Sequence, residues 1–213
     1  MTSNALIRQE IQSTNPQAGL LILLHGFGSN EVDLFGLARY FAPWFHVVSL
    51  RAPIEVPFGY AWFEIEYRPE GTKINAAAEI KSRQMLHDEI SALQAQYGVA
   101  AEKTYLYGFS QGAIMSYNLL LTQPQLIAGA VANNGRLLAE VWPDRVVNDR
   151  LVGKRLLMLH TTEDSVIKVE KARDARDHFA STAIELDYHE FSGDHTITEV
   201  ALKTALEWLA PCA

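Results

Sequence analysis

The chain of 213 residues holds one cysteine, Cys212, close to its end. A single thiol excludes an intramolecular disulfide and a thiolate zinc cluster. Its place in the tail also makes it a poor nucleophile, because preorganised sites are rarely built there. Long hydrophobic runs are missing as well. The longest is Leu20 to Leu24, far short of the roughly 20 apolar residues that cross a bilayer, so no membrane insertion is expected. The opening MTSNALIRQE has no basic stretch followed by an apolar core, and a secretory signal is not expected. Positive charge is scarce: 18 Lys and Arg stand against 25 Asp and Glu, for a formal net charge of −7. Nucleic acid is therefore not an expected partner, since it selects a basic footprint. No His-Glu-x-x-His pattern occurs, and neither a metal nor any other cofactor is expected.

What is present is the composition of an ordinary globular protein, 48% apolar and 10% aromatic, which excludes intrinsic disorder. The length suits one domain spanning residues 1–213, expected to be soluble and cytoplasmic. Apolar runs of strand character alternate with helical patterns. Ala5–Gln12 reads as an edge strand, and Gly19–Gly26 (GLLILLHG) as a strand buried on both faces. Phe45–Arg51, Lys103–Ser110, Leu126–Asn133, Lys154–His160 and Ile184–Phe191 look similar. Helices are predicted over Ala76–Tyr97, where Leu86, Ile90, Leu93 and Tyr97 share a face before the stop at Gly98, and over Ala113–Leu121, Val166–Phe179 and Thr196–Leu209. This alternation implies an α/β fold: a mostly parallel central sheet of about seven strands, covered by helices on both faces. Ligands bind such sheets at the carboxyl ends of the strands.

At one of those ends lies Gly108-Phe109-Ser110-Gln111-Gly112. A G-x-S-x-G between an apolar strand and a helix sets the serine on a sharp, strained turn where a side chain at either glycine would crowd the backbone. The turn lifts the Ser110 hydroxyl above the sheet at a helix N-terminus, where amides and the helix dipole favour developing negative charge. A second glycine-rich loop, His25-Gly26-Phe27-Gly28-Ser29-Asn30, follows the buried strand. It lacks the third glycine or the Gly-Lys-Ser/Thr of a phosphate-gripping loop. The backbone amides of Phe27 and Gln111 are the candidate oxyanion donors.

A serine hydroxyl needs a histidine base, and the base needs a carboxylate to fix its tautomer. In this architecture both follow the serine in the chain. His25 precedes it and reads as a loop brace. Of the later histidines, His189 falls inside a strand and His178 on an amphipathic helix, whereas His195 lies between the last strand and the last helix. His195 is the candidate base, with His160 as runner-up. The acid is expected in Thr161-Thr162-Glu163-Asp164, with Asp164 preferred to Glu163. Asp194 adjoins His195 and reads as a loop-shaping residue, and Asp144 as part of a surface turn.

With HGFGSN, GFSQGA, HTTEDSVI and SGDH in this order, the chain resembles the α/β-hydrolase superfamily. More narrowly it is similar to the small phospholipase/carboxylesterase family of predicted esterases and acyl-protein thioesterases. Arg51-Ala52-Pro53 and Ala61-Trp62-Phe63 carry the resemblance too. It implies an α/β-hydrolase fold without a large lid, Ser110 as nucleophile, Asp164 as orienting acid, His195 as base, and Phe27 and Gln111 as backbone donors. Two departures stand out. Ser29-Asn30 replaces a usual glycine or aspartate, and the acid loop reads His160-Thr161 with Val166-Ile167-Lys168 in place of His-Gly and Val-Pro.

Two irregular stretches are expected to wall the pocket, Ala52–Asn75 and Asn134–Asp149. Trp62, Phe63 and Trp142 in them are candidate contacts for an apolar acyl or aryl group. Trp62 and Phe63 read equally well as anchors of their loop, and Arg51 reads as a brace. The expected activity is cleavage of a small-molecule carboxylic ester through an acyl-enzyme. A thioesterase or lysophospholipase would use the same machinery, and a non-catalytic binding protein of this fold is a third reading. The oligomeric state, including a homodimer, is left open.

Overall fold

A computed structural model describes residues 5–68, 71–139 and 148–210. Cys212, Trp142 and Asp144 lie outside the described residues. Along the chain run β1 (Arg8–Ile11), β2 (Gly19–Leu24), a 3-10 turn at Leu34–Leu37 leading into α1 (Ala38–Phe41), and β3 (Phe45–Leu50). Then come β4 (Ile54–Val56), β5 (Gly59–Ala61), β6 (Ile65–Arg68), β7 (Gly71–Ile74) and α2 (Ala76–Tyr97). β8 (Thr104–Phe109), α3 (Gln111–Thr122), β9 (Gly129–Asn133), β10 (Arg155–Thr161), α4 (Val169–Ala180), β11 (Glu185–Phe191) and α5 (Glu199–Leu209) complete the order.

Seven strands form one sheet in the order β1-β3-β2-β8-β9-β10-β11. All neighbours are parallel except β1, which pairs antiparallel with β3 as the outer strand. The predicted α/β architecture is thus the one observed. The alternation along β2 shows why it forms. Leu20, Ile22 and Leu24 enter a core with Leu86, Ile90 and Leu93 of α2, while Leu21 and Leu23 enter a second core with Phe41 of α1 and Leu209 of α5. Each such side chain removed from water stabilises the fold by about 1.5–3 kcal/mol. α2 begins at Asn75, whose side chain accepts the Ala78 N–H, and ends at Gly98 with a left-handed φ of 67°. α3 is buried at every position from Gln111 to Leu121. Among the described residues no helix is long and apolar enough to cross a membrane.

The stretch Ala52–Asn75 is not irregular, as expected, but folds into two hairpins, β4–β5 and β6–β7. Their strands of three and four residues are too short for an alternating pattern to show. The first hairpin leans on the Gly26–Ser29 loop: Gly28 N–H donates to the Tyr60 carbonyl at 2.9 Å and Tyr60 N–H to the Ser29 carbonyl at 2.8 Å. Gly59 makes this approach feasible, because a Cβ there would lie 2.4 Å from the Gly28 carbonyl oxygen. Arg51 braces the same corner, donating to both oxygens of Glu31 at 2.6 and 2.7 Å and lying 4.5 Å over the Tyr60 ring.

Candidate active site

At the end of β8 the chain turns into α3 through Ser110, whose φ of 53° and ψ of −114° lie outside ordinary non-glycine conformations. The two flanking glycines are steric necessities. A Cβ on Gly108 would stand 2.3 Å from the Gly112 carbonyl oxygen, and one on Gly112 would stand 1.9 Å from the Leu24 carbonyl oxygen. Both obstacles are backbone, so no rotamer change relieves them. Gly112→Ala is expected to destabilise the fold by about 3 kcal/mol or more. A lowered urea midpoint, or no soluble protein at all, is the outcome to look for.

Three residues remote in sequence meet at this turn. His195, in the loop after β11, places Nε2 2.8 Å from Ser110 Oγ, and its Nδ1 lies 2.7 Å from Asp164 Oδ2 in the loop after β10. The Ser110 hydroxyl donates to Nε2, and the Nδ1–H donates to the carboxylate. Asp164 is about 1% exposed. Its Oδ1 accepts the amides of Val166 and Ile167 at 2.8 and 2.7 Å, and its Oδ2 also accepts from Asn134 Nδ2 at 2.6 Å. Burial pushes this carboxyl up, but the bonds from Asn134, His195 and Ile167 outweigh it and hold the group below the usual aspartate range. Asp164 therefore stays ionised at neutral pH. α4 starts at Val169, three residues later than the sequence pattern implies.

The acid and base loops are tied together. Asp194 Oδ1 accepts the amides of Ser165 and His195, each at 2.8 Å, and the exposed Glu163 carboxylate accepts the Gly193 amide. Asp194 thus shapes the loop and does not touch the imidazole. The other histidines stand apart from Ser110. His25 is fully buried; its Nε2 accepts the Ala52 N–H at 3.0 Å and its Nδ1–H donates to the Gly26 carbonyl at 2.7 Å. Burial pushes its pKa down, so it is a neutral brace beneath the glycine loop. His160 is likewise held neutral by burial and directs Nε2–H to the Ile167 carbonyl at 2.8 Å. Its 3.4 Å approach to Asp164 Oδ2 is therefore no ion pair. His189 is exposed on β11, and His178 on α4 lines the cleft.

Gly26 runs beside the serine: a Cβ on it would lie 3.3 Å from Ser110 Cβ. Phe27, next in the chain, lines the same cleft as Ser110 and Gln111. Gln111 is the first residue of α3, where amides have no intrahelical acceptor. The Gln111 side chain does something the sequence did not disclose. Its Oε1 accepts the Trp62 N–H and its Nε2 donates to the Phe63 carbonyl, each at 2.7 Å, clamping the segment between the hairpins to the elbow.

The cleft has a volume of about 1080 Å³. Phe27, Phe63, Ile65, Ile114, Leu137 and Ile167 give it an apolar side, and Lys168, just before α4, with Lys171, Asp174 and His178 of α4 a polar one that was not foreseen. Phe63 faces the cleft. Trp62 does not line it: its Nε1–H donates to the His25 carbonyl at 3.0 Å, so it anchors the loop from behind. Asn134, beside Asp164, was also not singled out beforehand. Among the described residues no group of three or more His, Cys, Asp or Glu side chains could hold a metal ion.

Residues 7–213 match the phospholipase/carboxylesterase family. The chain is 31% identical over 202 residues to the esterase YpfH of Escherichia coli (strain K12), covering 91% of this chain and 83% of that protein. It is 26% identical over 158 residues to acyl-protein thioesterase 1 of Schizosaccharomyces pombe, covering 69% of each. Among solved structures, esterase PE8 superposes with a TM-score of 0.84 at 26% identity over 98% of this chain and all of that one. The Bacillus cereus carboxylesterase superposes with a TM-score of 0.86 at 20% identity over 99% and 97% of the two chains, a likeness of fold.

Proposed function

The chain belongs to the phospholipase/carboxylesterase family and is a carboxylesterase-type hydrolase, and from that premise we propose that it cleaves small-molecule carboxylic esters through an acyl-enzyme on Ser110. The observation that carries the reading is the unbroken pair of hydrogen bonds, 2.8 and 2.7 Å, from Ser110 Oγ through His195 to Asp164. Ser110 Oγ attacks the acyl carbon as His195 Nε2 takes its proton, and the imidazolium is stabilised by the Asp164 carboxylate at Nδ1. The carbonyl oxygen, now an anion, is held by the Phe27 and Gln111 amides, each contributing on the order of 3 kcal/mol in the transition state. Collapse breaks the bond to the alcohol, which leaves with the proton from His195. Water then attacks the acyl-enzyme, again losing its proton to His195, and frees the carboxylic acid and Ser110.

The apolar wall supports an apolar acyl or aryl group on the substrate. Similarity to an acyl-protein thioesterase favours thioesters as a second substrate class, since the same groups would serve a sulfur leaving group. The test combines a fluorophosphonate probe with p-nitrophenyl esters and acyl thioesters of graded length. Labelling of the protein and turnover of at least one ester series are expected. Folded protein that takes up no probe and turns over no ester would overturn the reading. Faster turnover of thioesters than of matched esters would move the assignment to thioesterase.

A further inference from the structure

Among the described residues two non-glycine residues have a left-handed backbone, Ser110 at φ 53° and Asn134 at φ 55°. The elbow accounts for the first. Asn134 directly follows β9, and the peptide joining it to Asn133 is fastened on both sides. The Asn133 carbonyl accepts the Ser110 N–H at 2.9 Å, and the Asn134 N–H donates to the Leu159 carbonyl of β10 at 2.8 Å. Asn134 has no exposed surface. Its Nδ2 donates to Asp164 Oδ2 at 2.6 Å and to Thr161 Oγ1 at 2.5 Å, and Thr161 Oγ1 donates to the Asp194 carbonyl at 2.7 Å. One amide thus touches the acid directly and the base's loop through a single hydroxyl.

The direction of these bonds is settled by their partners. An ionised carboxylate only accepts, and the Thr161 hydroxyl spends its one proton on Asp194, so both neighbours require a donor and receive the NH₂ group. The Asn134 Oδ1 is then turned to where no donor among the described residues reaches it. A left-handed backbone and an orphaned buried carbonyl both act against folding, and a glycine here would remove both. What glycine would not supply is the bond to Asp164.

We propose that Asn134 is a positioning residue, holding the Asp164 carboxylate in the one rotation at which Oδ2 meets His195 Nδ1. The inference rests on the reading of Asp164 as the orienting acid. Oδ1 is fixed by two backbone amides. Oδ2 has Asn134 as its side-chain donor apart from His195, because His160 directs its own Nε2–H to Ile167. Without Asn134 the rotation of the carboxylate would rest on the Val166 and Ile167 amides alone on the side away from His195, and misplacement on the scale of 1 Å can cost a factor of about 100 in rate.

The experiment is a double-mutant cycle of Asn134→Gly and Asp164→Ala, with p-nitrophenyl ester turnover and thermal melting measured for each variant. Asn134→Gly is expected to lower kcat by about 10- to 100-fold with KM within about 2-fold of wild type. In the Asp164→Ala background the same change should alter the residual rate by less than about 3-fold, since its effect passes through the missing carboxylate. A residue serving only the backbone turn would keep wild-type kcat as glycine, and one acting through general stability would lose the same factor in both backgrounds. Either result overturns the proposal. If Asn134→Gly does not fold, Asn134→Asp, which keeps the shape but faces Asp164 with a second acceptor, goes through the same cycle with the same two criteria. Should Asp164→Ala alone leave kcat within about 3-fold of wild type, it is the triad reading that falls, a result distinguishable from failure of the Asn134 proposal alone.

Discussion

Ser110→Ala is expected to lower kcat/KM for an activated ester by on the order of 10⁴- to 10⁶-fold, leaving the small residual rate that amide donors and binding sustain without a nucleophile. The substitution removes one hydrogen bond, to His195, and leaves the backbone at its φ of 53°, so the melting temperature should barely move. Ser110→Gly is equally inactive by this reasoning but frees that backbone, and it should be more stable than Ser110→Ala by about 1 kcal/mol. Ester turnover and thermal melting of the two variants side by side check both statements. Retention of activity within a factor of ten in the alanine variant would place the nucleophile elsewhere.

Asp164→Asn is expected to cost on the order of 10⁴-fold in kcat with little change in KM, through a tautomer. The wild-type carboxylate accepts four hydrogen bonds: two backbone amides on Oδ1, and Asn134 and His195 on Oδ2. An asparagine that keeps its oxygen toward the two amides turns its NH₂ toward Asn134 and His195. It then donates to His195 Nδ1, the proton moves to Nε2, and Nε2 can no longer accept from Ser110. Stability follows the same carboxylate. Its folded-state pKa is depressed, so its contribution is complete above the unfolded value of about 4 and is lost as pH falls through the folded one. The pH-dependent part of the melting-temperature gap between wild type and variant should therefore be full at neutral pH and close in acid. A gap that widens on acidification would contradict the assigned hydrogen bonds.

The legible parts of this molecule were those where a local pattern has one physical meaning. Leu20–Leu24 lies buried on both faces, and its short apolar run, bounded by Gly19 and Gly26, reads directly as an inner strand. The glycines at 108 and 112 announce the elbow because nothing larger fits there. The ends of helices were less legible: α4 begins at Val169 and not at Val166, and α5 begins at Glu199 and not at Thr196, with the Thr198 side chain capping it by accepting the Ala201 N–H. The hairpins between residues 52 and 75 escaped because a fit against Gly28 and a clamp from Gln111 hold them, and neither is a local property. Trp62 illustrates the same limit. Aromatics serve as walls and as anchors alike, and with Trp62 and Phe63 both fully buried, the indole bond to the His25 carbonyl and the place of Phe63 on the cleft separate the two. Asn134 gave no signal at all, since its meaning depends on Thr161 and Asp164, 27 and 30 residues further on.

The placement of the proposed reacting groups after β8, β10 and β11 bears on how such a chain comes into being. The proposed base follows the proposed nucleophile by 85 residues, and β10 and β11 must both dock before His195 can reach Ser110. On the proposed mechanism, a chain without that docking carries a hydroxyl no more reactive than that of any other serine. A copy in which β10 and β11 have not paired would lack the base, and its Ser110 would not be acylated at the rate of the finished fold.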